Sequence, residues 1–158
     1  MRITTLANPR QVILVSTRAE GKDNLIALSW HTPLSFEPML YAISVGKTRY
    51  SLELLRKSKC FVVNFMDKKF ENEIWYCGSH TGKKVDKFKE TGLEKEEAET
   101  INSPIIKQCL GYLECQIIKE IEVGDHILFI GQVKKYDLKK EGKRLFHLHQ
   151  NKFTSTLD

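Results

Sequence analysis

The sequence predicts a mainly β protein, an antiparallel barrel with short helical insertions. Three observations carry that reading. β-Branched and aromatic residues gather in strand-length runs bounded by turn residues. Helical spacing of apolar residues occurs only in short pieces between those runs. Several strands come first, then short helices, then long strands, an order that suits antiparallel pairing rather than alternating parallel units.

Gln11-Val12-Ile13-Leu14-Val15-Ser16-Thr17 opens the series as a strand, because β-branched residues crowd it. Glu20-Gly21-Lys22-Asp23 has the composition of a hairpin turn, and residues 25–32 form the return strand. The break at Glu37-Pro38 precedes a third strand over 39–45. Over 48–57 the period changes: Leu52, Leu54 and Leu55 with flanking charges predict a short helix. Cys60-Phe61-Val62-Val63-Asn64-Phe65 returns to strand. Residues 71–76 make a second short helix, stopped at Gly78. Residues 82–99 are polar and charged, a helix-containing excursion over the barrel, and the glutamate-rich stretch 93–100 reads as a solvated surface segment. After Pro104 the strands lengthen, over 110–121, 126–138 and 145–149. Between the last two, Glu141-Gly142 supplies a hairpin turn whose lysines protect the strand ends.

At 158 residues the chain fits one domain, 1–158, long enough to bury a core without staples. Its hydrophobic share of 41% and charged share of 28% exclude an intrinsically disordered chain. Apolar runs are strand-sized, far short of the roughly 20 residues of a membrane span, so no membrane partner is expected. Met1-Arg2-Ile3-Thr4-Thr5 lacks the apolar region of a secretory signal. Cys60, Cys77, Cys109 and Cys115 form no CxxC pair, and reduced thiols in a cytoplasmic protein are expected. The net charge of +5 sits largely in Lys134-Lys135 and around Lys139-Lys140 and Lys143-Arg144. Such a patch suits an acidic partner or a dinucleotide's phosphates, or simply a solvated strand end; nucleic acid is not expected as a partner.

Gly124-Asp125-His126-Ile127-Leu128-Phe129-Ile130-Gly131-Gln132-Val133 is the most informative stretch. A glycine turn delivers an acid and a histidine to the mouth of an apolar strand, and a second glycine inside that strand marks a bulge or a close approach. Thr48-Arg49-Tyr50-Ser51 stands where a strand gives way to a helix. Helix-start N–H groups, hydroxyls and a guanidinium attract phosphate there; alternatively Thr48 caps the helix and Arg49 lies in solvent. On the strand containing Asn24, alternation places Ala27, Ser29 and His31 on one face and Leu28, Trp30 and Thr32 on the other. Small hydroxyls and backbone groups there suit the polar edge of a ligand, while Trp30 serves equally as a core or interface aromatic. His147 and His149 share a strand face at a spacing seen in metal sites, but no third ligand accompanies them. Neither a GxGxxG fingerprint nor a GxSxG elbow is present.

The stretch 124–133 resembles the GDHxxxxGxV signature of the flavin reductase family, the FMN-binding split barrels. Asn24-Leu25-Ile26-Ala27-Leu28-Ser29-Trp30-His31-Thr32-Pro33 and Val45-Gly46-Lys47-Thr48-Arg49-Tyr50-Ser51 are similar to that family's two flavin-holding segments. Val85-Asp86-Lys87-Phe88 with Thr91-Gly92-Leu93 resembles its middle loop. The resemblance spans residues 8–133 in the family's order. It implies a Greek-key split β-barrel, a homodimer, bound FMN and NADH or NADPH as co-substrate. It also implies phosphate contacts from Thr48, Arg49 and Ser51, and a flavin body held by Asn24, Ala27, Ser29, Trp30, His31 and Thr32. Relatives often carry an aromatic where this chain has His31. His126 reads three ways: a structural strand-end residue, an acid or base, or the residue that places the nicotinamide, which is what the motif implies. Electrons would pass to a small-molecule or protein acceptor. The alternatives are a flavoredoxin-like carrier reduced by a protein partner, and a non-enzymatic basic binding module.

Overall fold

A computed structural model describes residues 3–156. Its elements run α1 (Ile3–Ala7), β1 (Arg10–Gln11), β2 (Ile13–Ala19), β3 (Lys22–Leu28), β4 (His31–Phe36), β5 (Met39–Gly46), α2 (Tyr50–Ser58) and β6 (Cys60–Phe65). There follow α3 (Glu71–Ser79), α4 (Lys87–Thr91), β7 (Lys95–Glu97), β8 (Pro104–Ile106), β9 (Gly111–Val123), β10 (His126–Leu138), β11 (Leu145–His149) and β12 (Lys152–Ser155). Of the amino-terminal stretch read for a signal, Met1 and Arg2 lie outside the described residues.

Seven strands form the main sheet in the order β3-β2-β6-β9-β10-β5-β4, every neighbouring pair antiparallel. β3 and β4 are consecutive in the chain yet stand at opposite ends of that order. Only Ser29 and Trp30 join them, a path from Leu28 to His31 of about 11 Å at most when extended. The sheet must therefore roll until its two ends approach each other, though β3 and β4 do not pair. That is the mainly antiparallel β architecture with short helices that the sequence predicts, and its seam falls at Ser29–Trp30. The predicted continuous strand over 25–32 is thus two strands, and the alternation argument fails past Leu28 because the chain changes its hydrogen-bonding partner there.

β2 and β6 are buried on both faces, which explains their unbroken apolar runs. On one side Ile13, Val15, Ile43, Val45, Phe61, Val63 and Phe129 fill the interior and Leu52 and Leu55 of α2 join them. On the other, Leu14, Leu25 and Val62 meet Ile74 of α3, Phe88 of α4 and Leu93. Gly131 fulfils both meanings of a strand glycine. A bulge separates it from Ile130, and a Cβ on it would lie 2.8 Å from Cys115 Cβ and 2.9 Å from Phe61 Cζ. All four cysteines are free and buried.

Four further expectations change. The first predicted strand divides, with β1 leaving the main sheet to pair with β11. Helix α3 runs through Gly78 to Ser79 rather than stopping at the glycine. Residues 139–144 do not make a hairpin: β11 pairs with β1 and β12 in a separate three-stranded sheet, so this segment crosses between sheets. Gly142 is needed there for close approach, since a Cβ would meet Leu110 Cδ2 at 2.6 Å. The glutamate-rich stretch is more ordered than a solvated segment. Leu93 is buried, β7 pairs with β8, and the buried Glu114 carboxylate accepts from the Glu99 and Thr100 N–H groups at 3.2 and 2.7 Å.

Candidate functional site

A cavity of about 380 Å³ opens beside the seam, within the size range of small-ligand sites. Ile26, Ala27 and Leu28 of β3 form one wall, and Ser44 and Gly46 of β5 another. The start of α2, the end of α3 with the loop after it, and His126 at the head of β10 close the rest. Of the predicted residues, the fold brings together Ala27, Ser29, Trp30, Thr48, Arg49, Ser51 and His126 here.

The end of the cavity at the start of α2 is built from local sequence. Val45 and the rest of β5 end at Gly46, and the chain turns with Arg49 N–H donating to Gly46 O at 3.0 Å. Arg49 is the N-cap of α2 in extended conformation, and no side chain caps the helix. Thr48 is therefore not a cap. The helix start is left open to an anion, with the Thr48 and Ser51 hydroxyls and the Arg49 guanidinium beside it.

Asn24 stands behind this end rather than in the wall. It is 2% exposed, and its Nδ2 donates to Ser51 Oγ at 2.8 Å, which fixes that hydroxyl. Its Oδ1 is buried without a partner among the described residues, and a Cβ on Gly82 would come within 1.9 Å of it. Only glycine fits at 82.

At the other end the His126 ring stacks on Trp30, with centroids 4.6 Å apart and planes 25° apart. His126 Nδ1 bonds Asp125 Oδ1 at 2.7 Å, and the Asp125 carbonyl accepts from Lys47 N–H at 2.9 Å. The histidine hydrogen bond holds the exposed Asp125 carboxyl below its ordinary range. Asp125 thus orients the imidazole through Nδ1 and leaves Nε2 without a hydrogen-bond partner among the described residues.

Trp30, Ser29 and Ser44 form a partition. Behind them lies a second cavity of about 770 Å³, and it, not the first, receives His31 and Thr32. His31 bonds Tyr41 Oη at 2.7 Å and the Gln11 carbonyl at 2.8 Å, so both ring nitrogens are engaged. Burial lowers its pKa. These contacts make His31 a satisfied interior histidine at the start of β4. Elsewhere, His147 Nε2 bonds the Gln150 carbonyl, and no group of three or more His, Cys, Asp or Glu among the described residues is arranged to hold a metal ion.

Two contributors were not assigned roles from sequence. Lys87 is 4% exposed, and its ammonium donates to the Leu25 and Cys77 carbonyls at 2.7 Å each, leaving one of three N–H donors for the cavity it lines. Burial pulls its pKa down to about 8. The local cause is a cap: Asp86 accepts from Lys89 N–H and starts α4, which turns Lys87 inward as the first helical residue. His80, stacked on Tyr76 at 3.9 Å, lines the opposite rim.

A flavin phosphate fits the uncapped helix start, its ring fits an apolar wall ended by an aromatic pair, and a buried cation faces the space between. Comparison with known proteins agrees. The flavin reductase like domain matches residues 5–156. An uncharacterized protein of Archaeoglobus fulgidus is 33% identical over 138 residues, covering 85% of this chain and 77% of that one. The flavoredoxin of Methanosarcina acetivorans superposes with a TM-score of 0.85 at 26% identity, over 95% of this chain and 86% of that one. An FMN-binding protein of Thermus thermophilus, solved with 1-cyclohex-2-enone, gives 0.85 at 25% identity, over 94% and 86%. With the motifs, the rolled sheet and the family match in agreement, the chain belongs to the flavin reductase-like family and takes a flavin-related redox role.

Proposed function

We propose that the cavity holds the FMN unit of a flavin, that NADH or NADPH reduces it there, and that a homodimer passes the electrons to an acceptor. The observation that carries this reading is the convergence of three chain segments on one cavity: the open start of α2, the Trp30–His126 stack, and the inward ammonium of Lys87. When bound, the flavin supplies the hydride-accepting ring. Thr48, Arg49 and Ser51 bind the phosphate, and Asn24 keeps the Ser51 hydroxyl in place. Ile26, Ala27 and Leu28 exclude water from one side of the ring. Lys87 would present its remaining N–H donor and its positive charge to a flavin in the cavity it lines. His126, held by Asp125 and Trp30, orients the nicotinamide; orientation, not proton transfer, is what hydride transfer asks of the protein.

The likeness to a flavoredoxin favours a second reading, a carrier reduced by a protein partner. Anaerobic titration of the flavin-loaded protein separates the two. Bleaching of the yellow colour by NADH or NADPH supports the reductase. A flavin that only dithionite bleaches supports the carrier, and failure to bind any flavin would reject both.

A further inference from the structure

His147 and His149 take no part in the cavity at the start of α2. Both line a separate cavity of about 710 Å³ between α1 and the β11–β12 hairpin, together with Thr4, Thr5, Asn8 and Gln150. A register shift between the two histidines interrupts the pairing of β11 with β12, yet both border the same space. Asn8 ties the facing wall to them, because its Nδ2 donates to the carbonyl of Leu148, the residue between the pair.

The two rings are prepared differently. His147 Nε2 lies 2.9 Å from the Gln150 carbonyl. A carbonyl only accepts, so Nε2 carries the hydrogen and the neutral ring keeps its lone pair on Nδ1. That arrangement is the usual outer support of a metal-binding histidine, since it fixes both tautomer and ring orientation. His149 is exposed, and its side chain has no hydrogen bond, ion pair or ring partner among the described residues, so its lone pair is available too. No carboxylate or thiol borders the cavity, which sets the class of ion. Calcium and magnesium ask for charged oxygen ligands, whereas imidazole suits late first-row ions. We infer that His147 and His149 together bind a zinc-class divalent ion, apart from the flavin reading and independent of it. Two protein ligands are fewer than the three or four of catalytic and structural zinc sites, so water fills the remaining positions and the ion exchanges.

The test titrates the flavin-free full chain with zinc ion alone, by calorimetry above about pH 7, where an ordinary imidazole is neutral. The proteins compared are the parent, His147→Gln, His149→Ala and His126→Ala, each checked for folding by circular dichroism. His149→Ala keeps the test decisive should His147→Gln misfold, because the His149 side chain is exposed and unengaged. The parent should bind one ion per chain. Loss of either histidine should weaken that binding at least about tenfold, since even an outer partner of a metal ligand contributes that much. Saturating zinc should raise the melting temperature of the parent and leave that of His149→Ala unmoved. His126→Ala, which removes the His126–Asp125 pair as a rival site, should bind as the parent does. Loss in only one of two folded histidine variants would reduce the pair to a lone surface imidazole and overturn the assignment. Loss in His126→Ala would move the ion to Asp125 and overturn it as well, and a parent that binds no stoichiometric zinc would reject it outright.

Discussion

Arg49 lines the cavity from an exposed N-cap position, so its removal tests the proposed phosphate contact with little risk to the fold. A charge-assisted contact contributes about 1.5–3 kcal/mol, which corresponds to roughly tenfold or more in affinity. Arg49→Ala should weaken FMN binding by about that factor in a fluorescence titration and leave the melting temperature unchanged. His126 makes a different demand. His126→Ala should slow reduction by NAD(P)H in anaerobic stopped flow, while FMN affinity and the dithionite rate stay at parent values. Equal NAD(P)H rates in mutant and parent would return His126 to a structural role. That Thr48, Arg49 and Ser51 stand together at one cavity was legible in the sequence, because they are neighbours at a change of period. Lys87 was not: its importance comes from carbonyls 62 and 10 residues away, and nothing local marks a lysine as buried. His31 misled for the same reason, since its partners Tyr41 and Gln11 lie on other strands.

At the scale of elements, β10 carries the histidine to the cavity, and Gly131 lets that strand lie close to its neighbours. The space for a methyl group there is already filled by Phe61 and Cys115, both fully buried. Gly131→Ala should therefore overpack the interior at a cost of about 1–3 kcal/mol, visible as a lower melting temperature. An unchanged melt would mean that β10 can shift without loss. β6 was legible to the residue, because a short apolar run between a helix end and a turn admits few alternatives. The seam at Ser29–Trp30 was not. Neither residue is a breaker, and the strand ends only because its continuation finds β5 rather than β2 as partner. The supposed hairpin at Glu141-Gly142 failed similarly: a turn-like dipeptide says nothing about which strand the next segment will join.

For the molecule as a whole, the rolled sheet leaves β4 as an edge with Leu34 45% and Phe36 95% exposed, beside Met39 of β5 at 37%, while Trp75 on α3 is 46% exposed. Apolar and aromatic groups concentrate at the centres of interfaces, and an open edge strand invites pairing. Sedimentation of the flavin-loaded protein at micromolar concentration should give a homodimer, and a monomer under those conditions would reject the assembly proposed above.

Lys87 has one further consequence, and it concerns heat. Its pKa of about 8 lies below the ordinary 10.5, so between those values the folded chain is neutral at this position while the unfolded chain is charged, and stability rises with pH across that window. An anionic ligand beside Lys87 favours the charged form and pushes the pKa back up. Above about pH 8, flavin binding must then draw a proton from the buffer, and affinity must fall as pH rises through that range. Calorimetric enthalpies of FMN binding at pH 9 should therefore differ between buffers of large and small ionisation heat. The same buffers should differ far less at pH 7, where Lys87 is largely protonated and the FMN phosphate, with a second pKa of about 6, is largely ionised. Lys87→Met should make them agree at both, and a buffer-independent heat at pH 9 in the parent would place the ammonium away from the flavin.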